Sequence, residues 1–157
     1  MRFTLIKDLK KDKSMNPILK GLLVFIVLYL IVDVFLKEQT MGLSSKDILH
    51  TLFGNVDEYV DPMSEALFLE FIHMEIFFEM MMLLTLNAVF TRLMYLKPLS
   101  LFVSNITLIT AILSLITIAL TYFYAQVFVF VYVISFFIWH IGAFYMALSS
   151  LWRLQFD

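Results

Sequence analysis

Apolar residues gather into long runs that short polar stretches separate, and the length of each run shows what it can become. Crossing ~30 Å of hydrocarbon takes about 20 mostly apolar residues in a helix. Runs at 17–36, 62–94, 98–121 and 127–152 meet that requirement. The pattern therefore predicts an all-α, polytopic membrane protein, a bundle of four transmembrane helices. The first three runs begin at a proline, preceded by Asn16, Asp61 and Lys97. Proline at a helix start gives up an N–H that has no partner there anyway, so none of the three is expected to kink a span. Leu99 to Trp152 contains no charged residue, and as one helix it would reach about 80 Å at 1.5 Å per residue. It must fold as a hairpin, with the turn around Thr121 to Gln126, where Tyr122 and Tyr124 suit the membrane–water interface.

Charge orients these spans. Arg2, Lys7, Lys10, Lys11 and Lys13 precede the first, Arg92 and Lys97 lie between the second and third, and Arg153 follows the fourth. From Lys37 to Glu65 six acidic residues face two lysines, a net of −4. Positive loops stay in the cytoplasm, so residues 1–16 and the C-terminus are expected inside, with the acidic loop 37–61 outside. The first run is too long for a signal-peptide core and has no small-x-small cleavage site, which makes it an expected anchor. Within the outer loop, "SSKDILHTLFG" puts Ile48, Leu49, Leu52 and Phe53 on one side of a short amphipathic helix. Ser44-x-x-Asp47 marks its start and Gly54 its end, and it is expected to lie at the membrane surface.

Composition narrows the classes. Of 157 residues, 62% are hydrophobic and 15% charged, against about a quarter charged in soluble domains. The chain reads as a single membrane domain. A net charge of −2 leaves no excess of Lys and Arg to neutralise phosphates, so nucleic acid is not an expected partner. With no cysteine, disulfides, thiolate chemistry and Cys-ligated metals are excluded.

The second run breaks the apolar pattern with Glu70, His73, Glu75 and Glu79. At 100° per residue Glu75 and Glu79 share a face one turn apart, near Asn87, while Glu70 and His73 lie about opposite. Glu70 and His73 are expected at the outer interface, forming a polar cluster there with Asp33 of the first span. Glu79 falls ~12 Å below Phe71 by helix rise, where a carboxylate must be protonated, paired or hydrated. Glu75 and Glu79 are thus a candidate proton or cation site, and His140 of the fourth span is a candidate third member. Asp33 has Lys37 one turn later as a natural ion-pair partner. In the third span Ser100, Ser104, Thr107, Ala111, Ser114, Thr117 and Thr121 form a small, hydroxylated stripe. Such a stripe serves close packing with hydroxyls bonded to their own backbone, or it lines a water path.

Other chemistry lacks its motif. Glu70-x-x-His73 is one copy of a pattern that di-iron bundles need twice. His73 and His140 differ in depth by ~15 Å on helix rise, too much for one haem. The ten methionines contain no Met-x-x-Met or Met-x-x-x-Met pair for copper. No nucleophile elbow, zinc-binding helix motif, P-loop or dinucleotide fingerprint occurs. The expectation is a non-enzymatic protein without cofactor or metal, multi-pass in the inner membrane. Its expected role is a structural or accessory subunit, partnered by the bilayer and by other membrane subunits or itself. The alternative is a proton or cation channel or transporter component.

Overall fold

The computed structural model describes residues 14–94 and 98–156. It contains α1 (Met15–Thr40), α2 (Ser45–Phe53), α3 (Glu65–Leu93), α4 (Pro98–Phe123) and α5 (Phe128–Phe156), with a 3-10 turn at Val56–Glu58. Among the described residues three helices, α1, α4 and α5, are long and apolar enough to cross a membrane. α3 equals α5 in length at 29 residues, but it carries Glu65, Glu70, Glu75, Glu79 and Arg92. The basic segment Arg2 to Lys13 and Lys97 lie outside the described residues.

Two helix starts depart from the proline rule. α1 begins at Met15, so Pro17 sits inside the first turn, where N–H groups still lack an i−4 carbonyl. α3 begins at Glu65 under Ser64, whose Oγ accepts a hydrogen bond from the Leu67 N–H at 3.3 Å. Asp61-Pro62 belongs instead to the loop, where Gly54 (φ +80°) passes so close that a Cβ would come within 2.9 Å of the Pro62 nitrogen. Pro98 opens α4 as expected. α1 continues past Leu36 to Thr40, and that extra turn places Lys37 on a rigid helix.

α5 is the axis of the fold and packs against all four other helices, whereas α1 and α3 touch each other lightly. The α4–α5 seam is built from small residues. Ser104, Thr107, Ala111 and Ser114 of α4 and Ala143 and Ala147 of α5 are buried. Gly142 lies so close to Thr107 that a Cβ there would collide with its hydroxyl. Small side chains let membrane helices approach closely enough for dispersion to hold them.

α2 packs its apolar face onto the end of the bundle and leaves its polar face exposed. Ser44 Oγ accepts from the Asp47 N–H at 3.2 Å, as the sequence implies, and Ile48 and Leu52 are buried with Met41, Phe68, Ile118, Val129 and Tyr132. The short helix plugs one end of the bundle. Tyr122 completes the plug, stacking on Phe68 with ring centroids 4.0 Å apart and donating to the Met63 carbonyl at 3.0 Å.

Candidate functional site

Below this plug, α1, α3 and α5 bring ionisable groups together. α1 supplies Asp33 and Lys37 one turn apart, and α3 supplies Glu75 and Glu79 with the same spacing. α5 supplies Tyr132 and His140 on a stripe at i and i+8. Five of these are almost sealed from the surroundings, with exposures of 9% for Asp33, 5% for Lys37, 4% for Glu79, 6% for Tyr132 and 4% for His140.

Lys37 holds the centre. Its ammonium pairs with the Glu75 carboxylate, lies 3.5 Å from the Tyr132 hydroxyl, and stands over the Phe71 and Phe136 rings at 4.7 and 5.5 Å. A lysine so placed gains from the carboxylate and from both ring faces. Its ion-pair partner is therefore on α3, and not the Asp33 one turn away on its own helix.

Asp33 turns toward His140, with Oδ2 3.3 Å from Nε2. That is ion-pair distance without hydrogen-bond alignment, because neither ring nitrogen of His140 has a hydrogen-bond partner. The ring is wedged beside Phe136 and Trp139, at centroid distances of 4.4 and 3.9 Å. Glu79 also keeps one buried oxygen, Oε2, without a partner, while feeling the charges of Lys37, Glu75 and Asp33. Fully ionised, the three carboxylates carry −3 against the +1 of Lys37, and even a protonated His140 leaves the cluster net negative. Burial of that kind is costly unless protons or a cation complete it.

The remaining candidates are placed elsewhere. Glu70 and His73 are exposed on α3; Glu70 lines the same groove between α1 and α3 as Asp33, and His73 is outside it. Asn87, on the inner face below Glu79, is buried; its Nδ2 donates to the Leu83 carbonyl at 2.8 Å and its Oδ1 accepts from Ser104. Among the described residues no three His, Asp or Glu side chains converge as metal ligands. Along α4, Thr107, Ser114, Thr117 and Thr121 donate to carbonyls of their own helix at 2.7–2.9 Å. This seam is closed packing. Lys37 and Tyr132 are the participants that spacing alone did not mark as site residues. The signal for Tyr132 was the Tyr132, Phe136, His140 stripe of α5, and that for Lys37 its place one turn after Asp33 on α1.

Because α1 and α3 diverge, a groove of about 650 Å³ opens between them. Tyr29, Leu36, Phe71, Met74 and Phe78 are among its apolar walls, and Asp33, Glu70 and Glu75 are its acids.

Long apolar helices around a buried ionic cluster define an integral membrane domain. The chain belongs to the Aq_1264_TM family, a transmembrane helical domain, which matches residues 42–157. That stretch takes in α2 to α5 with Glu70, His73, Glu75, Glu79 and His140, whereas α1 with Asp33 and Lys37 precedes it. No curated protein and no solved structure matches the chain.

Proposed function

We propose that this is a four-span protein of the inner membrane, with α3 as the fourth crossing and both termini in the cytoplasm. We propose further that it is a proton- or cation-coupled transport component working through Asp33, Glu75, Glu79 and His140. The observation that carries this reading is the buried charge imbalance, three carboxylates against one lysine, with Glu79 Oε2 and both His140 nitrogens left without hydrogen-bond partners. Intramembrane ionisable groups are expensive, and bundles that keep them use them. The glutamates of α3 that would obstruct a crossing, Glu75 and Glu79, turn inward, which supports a spanning role for this helix.

The packing favours a coupled carrier over an open channel. Beyond His140 the interior is filled by Leu83, Leu86, Phe90, Ala143 and Met146, and the neighbouring α4 hydroxyls are already bonded, Thr107 to the Val103 carbonyl and Ser104 to Asn87. Protons or cations would reach the cluster from the acidic outer side, where the loop's net negative charge concentrates them.

The site is tested by infrared spectroscopy of the purified protein in lipid across a pH range. The expected result is a carboxyl band that titrates and that Glu79→Gln removes; a wild-type spectrum indistinguishable from that of Glu79→Gln at every pH would defeat the reading.

A second reading, an accessory subunit of a membrane complex or a homo-oligomer, is supported by Glu70 and His73. Both are exposed, and His73 lies outside the groove between α1 and α3 that Glu70 lines. Native mass spectrometry of protein extracted gently from its own membrane separates the two, since co-purifying chains support the subunit role and a monomer removes it.

A further inference from the structure

We propose that the groove between α1 and α3 binds a lipophilic organic cation, a protonated or quaternary amine carried on an apolar body. This names the substrate class of the proposed carrier and rests on that reading for its coupling, though not for the binding itself. Three observations carry it.

The first is access. α1 and α3 touch lightly and the groove opens between their half-exposed residues Leu36, Leu67, Met74 and Phe78. With α3 spanning the membrane as proposed, the entrance faces the bilayer, and the occupant partitions into lipid before it arrives. The second is size, because about 650 Å³ falls within the roughly 300–1,000 Å³ typical of small-molecule sites.

The third is charge. Asp33, Glu70 and Glu75 outnumber Lys37 on the lining, and the faces of Tyr29, Phe71 and Phe78 are the surfaces on which ammonium groups are held. Lys37 does not oppose a cation here. Its side chain is 6% exposed and tied down to Glu75, while Glu75 leaves 19% of its own side chain open. An incoming ammonium therefore meets carboxylate oxygen at the wall before it meets the lysine. An anionic head would find the reverse.

The probe is tetraphenylphosphonium, titrated against the full chain in lipid nanodiscs, with tetraphenylborate as the control of like shape and opposite charge. Saturable binding of one phosphonium per chain is expected, with no saturable binding of the borate. Glu70→Gln, at an exposed position, should weaken it several-fold. Met74→Trp should fill the groove and weaken it at least tenfold, while leaving the unfolding temperature and the carboxyl titration of the buried cluster in place. Equal binding of the borate, or phosphonium binding unchanged in both variants, would overturn the proposal, as would a stable oligomer that covers Met74 and binds no phosphonium. Binding without a titrating carboxyl leaves the groove site standing and sinks proton coupling. A titrating carboxyl without binding does the opposite.

Discussion

Two polar regions lie within one small bundle, and they solve the same problem in opposite ways. Along the α4–α5 seam, Thr107, Ser114, Thr117 and Thr121 each return a hydroxyl proton to a carbonyl of their own helix. A short side chain can do this because the carbonyl one turn back is within its reach. Between α1, α3 and α5 that escape does not exist. Carboxylates cannot donate to their own backbone while ionised, and an ammonium needs an acceptor from another element. Lys37 finds Glu75, Asp33 finds His140, and Glu79 is left with an oxygen that has no partner. Polarity that the local helix satisfies serves packing, while polarity that only other helices or an arriving ion can satisfy is where function concentrates.

The largest effect should come from breaking the ion pair on one side. Lys37→Met strands the Glu75 carboxylate on the wall of the groove and removes the compensation that buried Glu79 feels as well. Loss of one partner of a buried pair costs about 3–5 kcal/mol. Unfolding of the purified protein in mixed micelles measures it, and Lys37→Met combined with Glu75→Gln should recover most of the loss. A single variant as stable as the wild type would show that the cluster is already hydrated and contributes nothing to the fold.

How far this division was legible in the sequence depended on the range of each interaction. The long helices, the hairpin after Phe123, the Ser44 cap and the inward face shared by Glu75, Glu79 and Asn87 follow from periodicity and local chemistry, which a single chain displays. The partners of the ions did not follow. Spacing paired Lys37 with Asp33, because both lie on one helix, and grouped Asp33 with Glu70 and His73 by depth. The actual choice was made by how α1 rotates against α5, which aims Asp33 at His140 and carries the lysine stem over Phe71 and Phe136 toward α3. That rotation is set by ridge-and-groove packing with no local signature. Likewise α2 has the composition of a surface helix. Its apolar face turns onto the bundle because Phe68, Tyr122 and Val129 leave an apolar opening at the end that Ile48 and Leu52 fill.

A wedge in the seam should have an intermediate effect and should leave the chemistry intact. Gly142→Val pushes two methyl groups into Thr107, and overpacking of a tight interface costs about 1–3 kcal/mol. Thermal unfolding should report that loss, while the carboxyl titration of the cluster stays where it is. A change in that titration would mean that the two regions are coupled through α5.

The finest comparison removes a single hydroxyl from each region without changing shape. Thr117→Val deletes a group that donates to Leu113 and Ser114 carbonyls at 2.8 and 3.1 Å, both of which belong to the same helix. Even hydrogen bonds between membrane helices contribute only about 0.6 kcal/mol on average, and these stay within one helix, so stability should fall by less than ~1 kcal/mol. Carboxyl titration and phosphonium binding should both stay as in the wild type. Tyr132→Phe deletes an equally buried hydroxyl, but one that lies 3.5 Å from the Lys37 ammonium. Its effect on stability should be similarly small, yet it should displace the carboxyl titration, because it removes a dipole facing the lysine of the buried cluster. If Thr117→Val disturbs the titration and Tyr132→Phe does not, the hydroxyl stripe of α4 is the working path and the functional assignment of the two regions must be exchanged.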